Sequence, residues 1–133
     1  KSEDYPEVEK LYKNHSTFGG QFDEARDTKE RLDTLVSNKP ESILVAVVEG
    51  TIVGTVTLFE DGRSAWLYRC AVLAEYDNEA SSMLVTKAKE ILKIWGHKQM
   101  LVYAPANDVY FEKRYTNVGF IKGNDYTAYW QDL

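Results

Sequence analysis

Apolar positions along the chain follow two different periods, and the change between them locates the organising unit. Ile43 to Val48 and Thr51 to Phe59 are runs rich in β-branched residues, separated by Glu49-Gly50. That pattern predicts two strands joined by the tight turn of an antiparallel hairpin. Gly54 interrupts the second run, which marks a close backbone approach or a bulge. After an Asp61-Gly62-Arg63 turn, Ser64 to Leu73 is apolar and aromatic at strand length. The period then changes. Leu84, Ala88, Ile91, Leu92 and Trp95 share one stripe at helical spacing, with Lys87, Lys89 and Lys93 off it and Gly96 placed as a C-cap. The segment between, Ala74 to Ser82, is small and polar, so strand, tight turn and helix follow one another closely. Such a junction points the free N–H groups of a helix start past the strand end and makes an anion site.

The flanks complete the order. Tyr5 to Tyr12 reads as a short helix with Asp4 as N-cap, Pro6 in the first turn and Val8, Leu11 and Tyr12 on one face. Phe18-Gly19-Gly20 breaks it. Asp23 to Val36 is strongly charged, with Ala25, Leu32, Leu35 and Val36 as its apolar minority, and predicts a solvated helix ending near Asn38-Lys39-Pro40. Met100 to Ala104 predicts a strand that crosses over the preceding helix to pair parallel with the central one. Asp108 to Val118 predicts a helix closed by Gly119, and Phe120 to Trp130 two short strands around Gly123-Asn124-Asp125. The predicted order is α, α, β, β, β, α, β, α, β, β: a mixed sheet with helices on both faces, α+β in class.

Composition narrows the function classes. The 133 residues are expected to form one domain, residues 1–133, with an upstream strand allowed for by the abrupt opening at Lys1. A net charge of -5 argues against nucleic acid as partner. Cys70 stands alone, so no internal disulfide can form and a reducing, cytoplasmic setting is expected. No apolar run approaches the ~18 residues of a membrane span. His15 and His97 lie apart from any cysteine or carboxylate at ligand spacing, so no metal site is expected. Inside an apolar strand, Cys70 reads as a small core residue rather than a nucleophile.

Three local motifs give the chain a resemblance to a known family. They are Glu49-Gly50-Thr51-Ile52-Val53-Gly54 in the hairpin, Val72-Leu73-Ala74-Glu75-Tyr76 at the central strand end, and Tyr115-Thr116-Asn117-Val118-Gly119-Phe120 at the last helix end. In order and spacing they resemble the GNAT superfamily of acetyl-CoA-dependent N-acetyltransferases along nearly the whole chain. The resemblance implies a GNAT-like fold, acetyl-CoA as co-substrate and an amine acceptor, either a small molecule or a protein amino group; a homodimer is left open. It also implies that backbone groups of Cys70, Ala71, Val72 and Leu73 hold the thioester and pantetheine arm like an added strand. The family's phosphate-gripping motif, an Arg or Gln followed by x-x-Gly-x-Gly or x-x-Gly-x-Ala, falls here in one of three registers starting at Glu75, Tyr76 or Asp77. These put Asn78, Glu79 or Ala80 at the first glycine and Ala80, Ser81 or Ser82 at the second. None supplies the basic or amide side chain, and none the first glycine.

The chemistry asks for an acid toward the leaving thiolate and a base for the ammonium. Tyr115 matches the family's tyrosine, and a phenol is a suitable donor. Where many members carry a glutamate on the central strand, this chain has Trp66 and Tyr68, so Tyr68 or Tyr103 is left to relay a proton through water. Glu60 and Asp61 read as solvated turn residues. The resemblance places Asn107 near the CoA arm, while its position before a helix makes it an N-cap. It also turns Phe18 and Gln21 to Glu24 toward the acceptor. Glu75, Asp77 and Glu79 crowd the place of a pyrophosphate. Each unit pair at roughly 7 Å repels by about 0.6 kcal/mol in water and about 2.4 kcal/mol at an effective dielectric of 20. Two further readings stay open: a GNAT-fold binding or assembly module that has lost its hold on CoA, and a relative that uses a different acyl donor.

Overall fold

A computed structural model describes residues 1–14 and 22–133; the expected Phe18-Gly19-Gly20 break, His15 and the acceptor-side Phe18 and Gln21 lie outside the described residues. A single 3-10 turn, Ser2–Asp4, leads into α1, Tyr5–Asn14. Asp4 accepts from the amino group of Lys1 at 2.7 Å rather than capping α1 itself. Val8, Leu11 and Tyr12 form the buried face, as their spacing predicts.

The charged stretch after it is shorter as a helix than its composition suggests. Asp23 to Asp27 closes a turn instead, because the Asp23 carboxylate accepts from the Ala25 and Arg26 amides at 2.8 and 3.0 Å. Helix α2 then runs Lys29–Asn38 from the N-cap Thr28, and none of its residues is buried.

The hairpin strands β1, Ile43–Val48, and β2, Thr51–Glu60, are antiparallel. Glu49 and Gly50 both have positive φ, 48° and 80°, the conformation of a two-residue hairpin turn. Opposite β1 the register slips so that Val53 has no partner between Ile52 and Gly54. Gly54 also meets the predicted close approach: a Cβ there would lie 3.2 Å from Leu84 Cδ1, 3.3 Å from Val72 Cγ2 and 3.4 Å from Ala80 Cβ. Strand β3, Ala65–Val72, continues the antiparallel ladder, and α3, Asp77–Ile94, follows one 3-10 turn later. Gly96, at φ 93°, ends α3, with His97 N donating to Leu92 O at 2.9 Å.

The sheet order is β1-β2-β3-β4, with β4 parallel to β3. β4 is Leu101–Val102 only, shorter than the expected Met100 to Ala104. Helix α4, Val109–Asn117, is capped by Asp108, and Gly119 closes it at φ 96°. The two strands expected between Phe120 and Trp130 do not form: residues 121–133 are exposed and belong to no strand. Periodicity reports which segment suits a strand, not whether a neighbour is there to pair with it.

This mixed sheet with helices on both faces is an α+β fold. One face packs Val56, Leu58, Leu67, Cys70 and Val72 against Leu84, Val85, Ala88 and Leu92 of α3. The other packs Ile52 and Ala71 against Val8, Leu11 and Tyr12 of α1. No described helix is long and apolar enough to cross a membrane.

Candidate functional site

The two parallel strands separate almost as soon as they pair. β3 and β4 share only Trp66↔Leu101 and Leu67↔Val102. From Tyr68 to Val72 the outer edge of β3 has no strand partner among the described residues. On the inner edge Ala71 pairs with Thr55, and the Leu73 N–H donates to Val53 O at 2.9 Å. Strand alternation therefore turns the Val72 N–H outward, toward the open side. Of the expected backbone set Cys70 to Leu73, Leu73 has its amide already engaged.

A bulge reshapes the middle of β3. Between Thr55↔Ala71 and Thr57↔Tyr68, two residues of β3, Arg69 and Cys70, stand opposite Val56 alone. Arg69 takes φ 53°, and the extra residue resets the alternation so that Tyr68 and Arg69 face the α1 side while Cys70 faces α3. The buried Arg69 pairs with Asp27 at 2.9 Å, and its guanidinium lies 5.9 Å from the Tyr12 ring and 5.4 Å from the Tyr68 ring. Asp27 in turn accepts from the Asp23 amide at 2.8 Å, and the Tyr5 hydroxyl donates to its carbonyl at 2.9 Å. One buried ion pair thus ties the bulge to the segment before α2.

The helix begins at Asp77, inside the segment that reads as a turn. Tyr76 N donates to Leu73 O at 2.9 Å and Asp77 N to Ala74 O, so the 3-10 turn uses these two amides. Of the five positions expected to cradle phosphate, Asn78, Glu79 and Ser82 are exposed. Ala80 and Ser81 are fully buried: Ala80 packs on the sheet at Gly54, and the Ser81 hydroxyl donates to Asp77 at 3.1 Å.

Asp77 does not face the site as a free charge. Arg114 of α4 reaches across to it, Nε to Oδ1 at 2.7 Å, with the two side chains only 3% and 14% exposed. A second guanidinium nitrogen donates to the Tyr110 hydroxyl at 3.0 Å, and the third, Nη1, is buried with no partner. The counter-charge of Asp77 is thus supplied from another helix. Glu75 and Glu79 are exposed to solvent.

Tyr115 lies next to Arg114 on the same buried face, stacked on Phe111 with ring centroids 6.4 Å apart. Its hydroxyl is buried without a hydrogen-bond partner. Burial first, then the neighbouring Cys70 thiol, hold the phenol well above its ordinary range despite the opposing Arg114 charge. Burial likewise pushes the Cys70 thiol up to about 11, so it stays protonated and unreactive. Cys70, Arg114, Tyr115 and Asp77 form one cluster beneath the start of α3.

The remaining predicted residues fall elsewhere. Tyr68 lies on the opposite sheet face from Tyr115, beside Arg69, so the two tyrosines are not brought together. Tyr103 packs on Trp66 with ring centroids 4.7 Å apart and the planes tilted by 49°. Asn107 is not the N-cap of α4: it is exposed at φ 60° in the turn before, and Asp108 accepts from Tyr110 N at 3.0 Å and Phe111 N at 3.4 Å. Glu60 and His97, read separately as a turn residue and an isolated histidine, meet at 3.0 Å, with Lys39 on the other carboxylate oxygen. Glu60 pairs with Ala65, so this cluster sits at the far end of β3 from Val72 and takes no part in the site. Among the described residues no group of three or more His, Cys, Asp and Glu could hold a metal.

Arg114 is the residue the pattern analysis missed. A signal was present: Phe111, Arg114 and Tyr115 are spaced i, i+3, i+4, so Arg114 stands on an apolar stripe where a charge needs a buried partner. Its partner lies 37 positions away, and no local rule names it.

Comparison with known proteins agrees with this architecture. Aminoglycoside 6'-N-acetyltransferase AAC(6')-IG from Acinetobacter haemolyticus, in its apo form, superposes with a TM-score of 0.74 at 14% identity over 100% of this chain and 95% of that one. AAC(6')-Iy in complex with a bisubstrate analogue, CoA-S-monomethyl-acetylneamine, gives 0.74 at 13% identity, covering 98% and 93%. The PaiA N-acetyltransferase from Thermoplasma acidophilum, in complex with coenzyme A, gives 0.68 at 23% identity, covering 88% and 84%. No curated protein sequence matches the chain. The model of the acetyltransferase (GNAT) family matches residues 6–120, and with most of its length accounted for in this way the protein belongs to that family.

Proposed function

We propose that the protein transfers an acetyl group from acetyl-CoA to a primary amine of a small molecule. The observation that carries this reading is the open outer edge of β3, from Tyr68 to Val72, running straight into the start of α3. An acyl thioester with its amide-bearing pantetheine arm is a group of the right chemistry for such an edge, because it pairs with peptide N–H and C=O groups without needing side chains. The residues fit that end of the ligand. In this reading the outward Val72 peptide, with that of Cys70, orients the arm while Ala71 stays paired with β2, and the buried unpartnered hydroxyl of Tyr115 is a donor awaiting an acceptor. At the phosphate end the fit rests on the first-turn amides of α3 that the 3-10 turn leaves free, those of Asn78 and Glu79, with Asn107 proposed to contact the CoA arm.

The transfer makes an N–C bond to the acetyl carbonyl carbon and breaks its bond to sulfur, releasing thiolate. Tyr115 stays protonated through the physiological range, so its role is to hydrogen-bond and protonate that sulfur, and it is reprotonated by the proton that the nitrogen sheds once the N–C bond has formed. The amine must arrive neutral. No carboxylate stands on β3, so its proton leaves to solvent, with Tyr68 on the α1 side as relay. Solved structures that the chain resembles include aminoglycoside N-acetyltransferases, which supports a small-molecule amine as acceptor.

Calorimetric titration with acetyl-CoA, paired with thermal melts, tests the reading. Saturable heat is expected, together with stabilisation of about 2.7 kcal/mol at a hundredfold excess over Kd. No heat and no shift in melting at millimolar acetyl-CoA would leave a fold without its donor site. Release of free thiol against a panel of amines then identifies the acceptor.

A further inference from the structure

Arg114 occupies a place on α4 where helical spacing calls for an apolar side chain. The buried residues of that helix are Phe111, Arg114 and Tyr115, and Arg114 is 4% exposed. A buried ion pair is often no more stabilising than apolar side chains of the same volume, so packing alone does not ask for a guanidinium here. This one is also incompletely satisfied. Nε donates to Asp77 Oδ1 at 2.7 Å and Nη2 to the Tyr110 hydroxyl at 3.0 Å, while Nη1 is buried without a partner. The hydroxyl of Tyr115, the next residue, is likewise a buried donor without a partner. Both belong to the cluster that meets Cys70 at the open stretch of β3. Burial raises the Tyr115 phenol and the Cys70 thiol alike. Of the two charges in the ion pair, Arg114, which lowers them, acts more strongly on both than Asp77, which raises them. Tyr110 is the other titratable group against the guanidinium, and Glu75 and Glu79 are exposed.

We infer that Arg114 is a positioning residue for release of the thiolate: its guanidinium, fixed by Asp77 and Tyr110, sets a permanent positive charge beside the Tyr115 hydroxyl and stabilises the negative charge that gathers there as the C–S bond breaks. The inference rests on the acetyl transfer proposed above. In that step the electron pair of the C–S bond goes to sulfur, and the Tyr115 proton follows it. Negative charge is then shared between sulfur and phenol oxygen, and a charge already in place stabilises it without reorganisation. Arg114 acts through the tyrosine and does not have to touch the sulfur. A guanidinium suits the task because it keeps its proton at every working pH. Asp77 holds it without cancelling it. At 14% exposure against 3% for Arg114, the carboxylate is the better screened of the two, so the pair is not neutral toward its buried neighbours.

The thiol of bound coenzyme A reads this charge without an acceptor amine. It is expected to titrate about one unit lower in the complex than in free coenzyme A, so that affinity rises about tenfold as pH climbs from the bound value to the free one. The probes are coenzyme A and desulfo-coenzyme A, which lacks the sulfur, titrated calorimetrically against the intact chain between about pH 7 and 10 with thiolate absorbance followed in parallel. Only coenzyme A should gain affinity over that range. Arg114→Met is expected to abolish the gain and leave desulfo-coenzyme A affinity as it was, and Arg114→Lys, which keeps the charge, to restore most of it. Because Arg114→Met leaves Asp77 unpaired, Asp77→Asn/Arg114→Met is measured beside it, and a circular dichroism melt shows that the variant read is folded. A purely structural Arg114 would change both affinities alike at every pH. Coenzyme A that binds with an unshifted thiol, or a shift that survives loss of Arg114, overturns the inference and leaves acetyl transfer standing. Coenzyme A that fails to bind at any pH overturns acetyl transfer, and this inference with it.

Discussion

Replacing Asp77 by Ala is the sharpest test of how the start of α3 is built. The substitution leaves the Arg114 guanidinium, 3% exposed, without its counter-charge and already carrying one unpartnered nitrogen. Breaking a buried ion pair from one side costs about 3–5 kcal/mol, and the 14% exposure of Asp77 places this case at the lower end, about 3 kcal/mol. Two smaller losses accompany it. Ser81 loses its acceptor, worth about 1 kcal/mol, and α3 loses a first-turn carboxylate, worth about 0.3–1 kcal/mol. Neither depends on Arg114, so a double-mutant cycle separates them from the pair.

The assay is urea denaturation of the four proteins of that cycle: wild type, Asp77→Ala, Arg114→Met and the double variant. Asp77→Ala is expected to lower stability by about 4–5 kcal/mol at an unchanged m value, moving Tm down by roughly 15–18 °C. The double variant removes both charges, recovers much of that loss, and yields a coupling energy of about 2–3 kcal/mol. A cost below about 1 kcal/mol for Asp77→Ala, or a coupling near zero, would show that water reaches the guanidinium and that the pair is only a surface contact.

Three other outcomes follow from the same structure. Tyr115→Phe removes a buried hydroxyl that has no partner, so stability should hold or rise slightly, while kcat falls by about 10²-fold with little change in KM; equal losses in kcat and acetyl-CoA affinity would assign the hydroxyl to binding alone. Gly54→Ala drives a methyl to 3.2 Å from Leu84 and 3.3 Å from Val72, and denaturation should show about 1–3 kcal/mol of overpacking. Glu60 is held down at about 2, from 4.5, by Lys39 first, then the Gly62 amide and His97. Its contribution is therefore complete above about pH 4.5 and fades as pH falls toward 2. Melts of Glu60→Gln should lie below wild type at pH 6 and converge with it near pH 2; a gap independent of pH would discard the charged cluster as its source.

What could be read from sequence, and what could not, divides along the range of the interactions. The hairpin, β3 and α3 were legible because each rests on local pattern: the Glu49-Gly50 turn, the β-branched runs and the Leu84–Trp95 stripe decide their own conformation. The parallel partner of β3 was legible from topology, since β4 has to return over α3. The extent of β4 was not, because pairing stops where a neighbour diverges, and Tyr103 to Ala106 carry no sign of that. Asn107 and Asp108 show the same limit at close range. Both residue types cap helices, and the choice fell to Asp108 because Asn107 takes the left-handed turn conformation that asparagine tolerates better than most.

The start of α3 shows how one long-range contact changes a functional argument. On local charge alone, Glu75, Asp77 and Glu79 oppose an anion by more than a helix end attracts it. Arg114 offsets one of these charges, and the other two stand in solvent, where each repels by about 0.6 kcal/mol at roughly 7 Å. Their sum, about 1.2 kcal/mol, is close to the 0.3–1 kcal/mol, rising to about 2, that a helix N-terminus supplies. The junction is then nearly neutral toward phosphate. In the proposed reaction it neither grips the donor nor repels it, and the binding energy has to come from peptide groups along the open edge of β3. In the proposed reaction such a site holds its acyl donor through backbone geometry rather than a side-chain motif, and the parts that supply it are the splayed strands, the bulge at Arg69 and the buried Tyr115 hydroxyl.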